Sequence, residues 1–255
     1  HKDWGLNQVR FHSWCPPRAA FIAADEIGIY LEPEVSEWTR VSTPEQEAWF
    51  TKESLKMLKS YGNSPSFAMM DLGNESSADS LIMKRLIALW KKDPRHLYTG
   101  KPNGSPKLKV YDFAVECWLD TIRTRYNFGW PPTPMGTWFN ALEPQTTIDF
   151  TEAVEKAGRP LISHEIGQRC VYPNITKEIP KYTGLLKPTY LEIGRDQLIE
   201  RSMLDQLPDF VQATGLWQVQ LYKEEIESHL RTPGFAGFQL LGLEDFTGQG
   251  SAPVG

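Results

Sequence analysis

The sequence predicts an α/β fold, a (β/α)8 barrel lacking its first strand and helix, with the last helix in question. Three observations carry that expectation. Short apolar runs alternate with longer amphipathic stretches, the pattern of βα units feeding a parallel sheet. The chain has 255 residues, a length at which a barrel forms one domain. Its first recognisable feature reads as a helix end, and it closes on a loop after a strand.

The elements follow in order. Asp3-Trp4-Gly5 ends a helix, with Gly5 at the C-cap, and the first strand is Asn7 to His12. A helix over Pro17–Ile27 leads to a second strand, Ile29-Tyr30-Leu31. Thr43-Pro44-Glu45-Gln46 is a helix start, with Ser42 or Thr43 as cap and proline in the first turn. That helix runs to about Tyr61 and is stopped by Gly62-Asn63. The third strand is Ser66 to Leu72. Ser80–Trp90 is a helix with Leu81, Ile82, Leu86 and Leu89 on one face.

His96-Leu97-Tyr98 is a short strand, and the next falls within Cys117 to Tyr126. The Pro- and Gly-rich stretches Gly100 to Pro106 and Gly129 to Gly136 are long loops, which in compact domains tend to carry function. Thr147–Ala157 is a helix, Pro160 to Ser163 a strand, and Leu216–Leu230 a helix stopped by Pro233-Gly234. Gly237 to Leu243 is the last strand. The count is about seven strands in a single domain over 1–255, one short of a closed barrel. Open sheet edges invite aggregation, so further domains or a second copy of the chain are expected to cover them.

Composition narrows the function classes. Lys and Arg number 27 against 32 Asp and Glu, a net charge of −5, and they are scattered. Nucleic acid as the main partner is therefore disfavoured, because phosphate binding needs a concentrated basic field. No apolar run approaches the roughly 20 residues of a membrane span. Cys15, Cys117 and Cys170 lack metal-ligand spacing and read as buried free thiols. No cofactor or metal is implied. The 9 Trp, 9 Tyr and 12 Phe suit either an aromatic core or a surface for flat amphipathic ligands such as sugars. The chain begins at His1 and shows no signal peptide; a periplasmic or extracellular location is the expectation.

Barrel chemistry sits at the C-terminal strand ends. Those ends offer Arg10 and His12, Glu32 and Glu34, Asn74 and Glu75, Arg123 and Tyr126, His164 and Glu165, and Glu244 and Asp245. Carboxylates dominate. No strand end carries a Ser in a Gly elbow, and no His-x-His pair anchors a metal. Glu75 follows an apolar strand and a turning Gly73, with the amide of Asn74 beside it. Glu165 follows another apolar strand. Cleavage of a glycosidic bond with retention needs two carboxyls about 5–5.5 Å apart, and strand ends across a barrel mouth can supply that spacing. Either Glu alone reads equally well as half of a rim salt bridge.

These residues resemble the catalytic barrel of family 2 glycoside hydrolases, the group of β-galactosidases, β-glucuronidases and β-mannosidases. The resemblance runs over nearly the whole chain. It rests on Gly5 to Trp14 (Gly-Leu-Asn-Gln-Val-Arg-Phe-His-Ser-Trp), Ala24 to Leu31, Ser66 to Glu75 and Ile162 to Glu165. Ile162 to Pro173 and Gly237 to Gly248 look closest to a subgroup of polysaccharide-degrading gut bacteria.

The resemblance implies Glu75 as acid/base after strand 4 and Glu165 as nucleophile after strand 7. The strand count agrees once one front strand is added. It further implies that Asn74 holds the sugar 2-hydroxyl, that Arg10 supports the nucleophile, and that Tyr126 lies near it. His12 stands where the family has the His of Ser-His-Tyr-Pro, but here the run is Phe11-His12-Ser13-Trp14-Cys15-Pro16. The family's preceding β-sandwich domains are not in this sequence.

His164 is placed to hydrogen-bond near the nucleophile. Trp14, Trp130, Trp138 and Phe246 are candidates for stacking on sugars. Tyr172 and Gln168 would line the subsite, and Glu244 and Asp245 would accept from hydroxyls. Trp4, Trp90 and Trp118 are expected in the core. The resulting expectation is a retaining, exo-acting β-glycosidase acting on an oligo- or polysaccharide. An inactive carbohydrate-binding barrel fragment and a metal-dependent barrel hydrolase remain as alternatives.

Overall fold

Strands and helices alternate through most of the computed structural model, which describes residues 1–36, 40–100, 108–116, 146–167 and 170–243. The order is β1 (Gln8–Phe11), α1 (Arg18–Ile27), β2 (Tyr30–Ser36), β3 (Arg40–Val41), α2 (Pro44–Tyr61), β4 (Met69–Gly73), β5 (Ser77–Ala78), α3 (Ser80–Trp90), β6 (Leu97–Tyr98) and β7 (Ala114–Glu116). Then come α4 (Thr151–Ala157), β8 (Leu161–Ile166), α5 (Ile175–Glu178), α6 (Thr189–Glu200), α7 (Leu207–Leu230) and β9 (Phe235–Leu240). The pairings β1–β2, β2–β4, β3–β5, β4–β6 and β7–β8 are all parallel. They form sheets of order β1-β2-β4-β6, β3-β5 and β7-β8-β9. The fold is thus mixed α/β with parallel sheets, as the alternation predicts.

Local chemistry explains the helix limits. At α2 the Thr43 hydroxyl accepts from the Gln46 N–H while the Gln46 side chain accepts from the Thr43 N–H, a reciprocal cap, and Pro44 fills the first helical position. The Asp79 carboxylate accepts from the Leu81 N–H at 2.8 Å and starts α3. α1 and α4 end at Gly28 and Gly158, both in the left-handed conformation that lets the cap N–H reach back to the helix.

The chain divides into two compact units. The first comprises His1–Arg123, Asp149–His164 and His229–Gln239. Its core gathers Phe21, Leu31, Phe50, Phe67, Met70, Leu72, Leu86 and Trp90 between the sheet and its helices. β2 is buried along almost its whole length, as expected of a parallel strand covered on both faces. Met69 of β4 packs with Phe113, Val115 and Ile162, which joins the first sheet to β7 and β8. The second unit comprises Thr124–Ile148, Glu165–Ser228 and Leu240–Gly255. Ile175, Leu191, Leu198 and Leu207 form its apolar centre where α5, α6 and α7 meet.

Several expectations are corrected. Trp4 is 79% exposed, because the short 3-10 turn that carries it buries no residue, whereas Trp90 is fully buried as expected. Leu81 is exposed; the buried stripe of α3 is Ile82, Met83, Leu86, Ile87 and Trp90, one position further round the helix. Cys170 is exposed, and Cys15 is half-buried with its thiol pushed up to about 12 by burial. α7 begins nine residues before the expected Leu216 start, and α5 and α6 occupy a stretch to which the sequence reading assigned no element. The strand expected within Cys117 to Tyr126 lies outside the described residues, as do Cys117 and Trp118; the described strand is Ala114–Glu116. No helix among the described residues is long and apolar enough to cross a membrane.

Candidate active site

β4 delivers Asn74 and Glu75. Gly73, the last residue of that strand, has φ +150, and a Cβ there would stand 2.0 Å from the Ser36 carbonyl oxygen. Only glycine allows β2 and β4 to approach so closely at this corner. The chain then turns: Ser76 N–H donates to the Gly73 carbonyl at 3.2 Å, and Glu75 between them has φ +46. Asn74 is buried while Glu75 is exposed.

β8 delivers His164 and Glu165, both buried. Glu165 also has a left-handed backbone, φ +50. Non-glycine residues seldom adopt that conformation and persist there only when their surroundings impose it, which happens most often at functional sites. An oxygen of the Glu75 carboxyl lies within 4.8 Å of a ring nitrogen of His164. Glu165 is the next residue in the chain. After it, Gly167 has φ +91, and a Cβ there would meet the Tyr222 ring at 2.5 Å. Its N–H donates to the Glu225 carboxylate at 3.0 Å.

Arg10, on β1, reaches across the sheet. It donates from Nε to Glu34 at 2.7 Å and from one Nη to the Asn74 amide oxygen. Arg10 is therefore held beside the Asn74 that precedes Glu75. The turn after β1 completes this network. The Ser13 N–H donates to the second Glu34 oxygen, and Ser13 has φ +70. His12 is exposed and its Nδ1 pairs with the Ser13 hydroxyl at 2.8 Å. Trp14 is 51% exposed and meets Phe11 edge-on, with ring centroids 5.5 Å apart.

Glu32 and Glu34, read from sequence as rim groups, are fully buried. They point inward beside Asp71 of β4, which sequence reasoning did not single out. Its signal was present, a charged residue inside the apolar run Phe67 to Leu72. Burial and the neighbouring Glu34 and Glu32 charges raise Asp71 well above the usual carboxylate range. Burial likewise lifts Glu32 to about 7, against the pull of Arg10. Glu34 is raised by burial and held down by Arg10, with which it forms an ion pair at 2.6 Å.

Tyr172 packs on Phe210 in the second unit, its N–H donating to Thr214 at 2.8 Å. Tyr126, Arg123, Trp130, Trp138, Gln168, Glu244, Asp245 and Phe246 lie outside the described residues.

No family model matches the sequence, and no curated protein matches it. Solved structures do match. A GH2 beta-galacturonidase from Eisenbergiella tayi bound to galacturonate superposes with a TM-score of 0.57 at 15% identity, over 94% of this chain and 38% of that one. A beta-glucuronidase of Bacteroides uniformis gives a TM-score of 0.60 at 14% identity, over 96% of this chain and 27% of that one. Bacteroides uniformis beta-glucuronidase 2, covalently bound to cyclophellitol-6-carboxylate aziridine, gives the same values. The chain spans between about a quarter and two-fifths of the length of these neighbours. At such identity the likeness is one of fold: the chain has a GH2-like fold, shared with beta-glycosidases.

Proposed function

We propose that this chain is the catalytic part of a retaining β-glycosidase, a (β/α)8 barrel whose nucleophile is Glu165 and whose acid/base is Glu75. The observation that carries the reading is the backbone at those two residues. Glu75 lies two residues past the end of β4 and Glu165 is the penultimate residue of β8, each in a left-handed conformation, φ +46 and +50. Strain of that kind at two strand ends, both glutamates, has a ready purpose in aiming carboxyls.

The chemistry follows from the residues. Glu165 attacks the anomeric carbon while Glu75 gives its proton to the leaving oxygen, and a glycosyl-enzyme forms. Glu75 then takes a proton from the incoming water, which releases the sugar with net retention. Asn74, clamped by Arg10, presents its amide to a sugar hydroxyl. His164 faces Glu75, and exposed Trp14 offers an apolar face to the sugar ring. The substrate is a terminal β-linked sugar on an oligo- or polysaccharide. Solved neighbours described as glucuronidase and galacturonidase support placing a uronic acid first among the candidates.

The test is hydrolysis of aryl β-glucuronide, β-galacturonide, β-galactoside and β-mannoside by the chain and by Glu165→Ala, with azide added to the variant. Turnover by the native chain, loss in Glu165→Ala, and an α-configured glycosyl azide are expected. Sugar affinity without turnover would establish a binding protein instead. The closeness of Glu75 and His164 keeps a metal-dependent hydrolase as the second reading, and loss of activity to a chelator would favour it.

A further inference from the structure

Three carboxyl groups are fully buried in one cluster of the first unit: Glu32 and Glu34 from β2, and Asp71 from β4. Asp71 stands in register with Glu34, and Glu32 lies two residues earlier on the same face of β2. One cation, Arg10 of β1, acts on all three. Arg10 donates to Glu34 and to Asn74. Glu32 is held on one oxygen by two amides, the Gln8 Nε2 from β1 and the Gln239 Nε2 from β9, the latter at 2.6 Å. Its other oxygen and both oxygens of Asp71 receive no N–H among the described residues.

What remains for those oxygens is each other, and the Glu32 and Asp71 carboxyls are within hydrogen-bond reach. Two carboxylates cannot make that bond, since each only accepts, so one of them must carry a proton. Burial enforces the same answer. A second unneutralised charge in this interior would cost far more than holding a proton.

We propose that Glu32 and Asp71 are a buried carboxyl pair holding one shared proton, and that this proton keeps Arg10 committed to Glu34 and Asn74, so that the pair positions the Asn74-Glu75 corner. Its catalytic consequence rests on the glycosidase reading; the pair itself does not. With the proton in place, the charge left on the pair is satisfied by the Gln8 and Gln239 amides, and the guanidinium is left to Glu34. Loss of the proton puts a full charge on Asp71, the register neighbour of Arg10's own partner. The guanidinium is then drawn toward Asp71, and its N–H leaves the Asn74 oxygen. Among the described residues, the groups that face the pair are Arg10 and Gln8 from β1, Glu34 from β2 and Gln239 from β9, while His12, in the turn after β1, acts on Glu34.

The test compares the native chain with Asp71→Asn and Glu32→Gln, which keep shape and supply the missing N–H without a titrating proton. Near pH 6 the infrared difference spectrum, native chain minus either variant, should show the carbonyl stretch of a protonated carboxylic acid, and the same band should remain in Glu75→Gln, so that it does not come from the acid/base. On raising the pH, the 15N resonance of the Arg10 Nε, assigned through Arg10→Lys, should shift with the midpoint of that infrared band, and should not shift in Asp71→Asn. A native chain with no protonated band overturns the pair. A band that titrates while the Arg10 resonance stays still overturns the positioning role. On an aryl β-glycoside, the alkaline limb of kcat/KM should follow the same midpoint in the native chain and be displaced in Asp71→Asn. Infrared and nitrogen signals that behave as expected in a chain with no glycosidase activity would sink the glycosidase reading and leave the pair standing.

Discussion

Glu75 and Glu165 share a backbone conformation that neither would choose, φ +46 at one and +50 at the other. An L-residue held there costs roughly 1–2 kcal/mol relative to a right-handed backbone. Ser13, beside His12 at the end of β1, is held the same way at φ +70. Most of the described non-glycine backbone avoids this region, so its use at three positions at or near strand ends marks where the fold has been shaped for something besides stability.

The first prediction concerns that strain. Glycine usually destabilises relative to alanine, but at these two positions the order should invert. Glu75→Gly and Glu165→Gly should each be more stable than the matching alanine variant, by about 1 kcal/mol. Urea unfolding of the two pairs checks it; alanine at or above glycine would mean that the left-handed turns relax freely in solution.

Under the proposed chemistry, Glu75→Ala should lower kcat/KM about 10²- to 10⁴-fold, the usual contribution of a positioned acid/base. The loss should be smallest for an aryl glycoside whose leaving group needs no proton. Comparing two leaving groups of different acidity checks this. An equal loss for both would remove Glu75 from that role.

Stability should depend on pH through the Glu32–Asp71 pair, with a definite sign. Burial raises Glu32 from 4.5 to about 7, so the folded chain keeps a proton that the unfolded chain has released. The unfolded state binds fewer protons across that window, so this contribution is complete below about 4.5 and is lost as the pH rises to about 7. The expected slope is about 1.4 kcal/mol per pH unit for one proton. Measured by urea midpoints from pH 5 to 8, native stability should fall relative to Asp71→Asn. A constant difference between the two would contradict it.

The faces of α3 make opposite predictions for two leucines. Leu86 is buried and Leu81 is 63% exposed. Leu86→Ala should cost about 2–5 kcal/mol, and Leu81→Ala less than about 0.5 kcal/mol. Thermal or urea unfolding distinguishes them, and comparable losses would shift the helix register by one residue.

Thiol reactivity should separate the two described cysteines. Burial pushes the Cys15 thiol up to about 12, whereas Cys170 is exposed. An aromatic disulfide reagent at neutral pH should lose one fast-reacting thiol per chain in Cys170→Ser and none in Cys15→Ser. Fast labelling of Cys15 would mean that the loop after β1 opens.

Much of this protein could be read from the order of its residues alone. Apolar runs punctuated by glycine and by Thr-Pro or Asp caps place β1, β2, β4 and β8, and the caps of α2, because these depend on neighbours a few residues away. Gly73-Asn74-Glu75 and His164-Glu165 stand out for the same local reason, polar groups ending apolar strands. Tertiary structure decided the rest. The buried face of α3 depends on where the sheet lies, and Trp4 is exposed because no element covers its turn. Glu32 and Asp71 are far apart in sequence, and nothing in either one's neighbours points to the other. They become a proton-holding pair only when parallel pairing sets β2 beside β4, brings Gln8 and Gln239 onto one oxygen, and sets the Arg10 guanidinium among three carboxyls. Charge in a protein interior is settled by what is near in space, and that is the property a linear pattern does not contain.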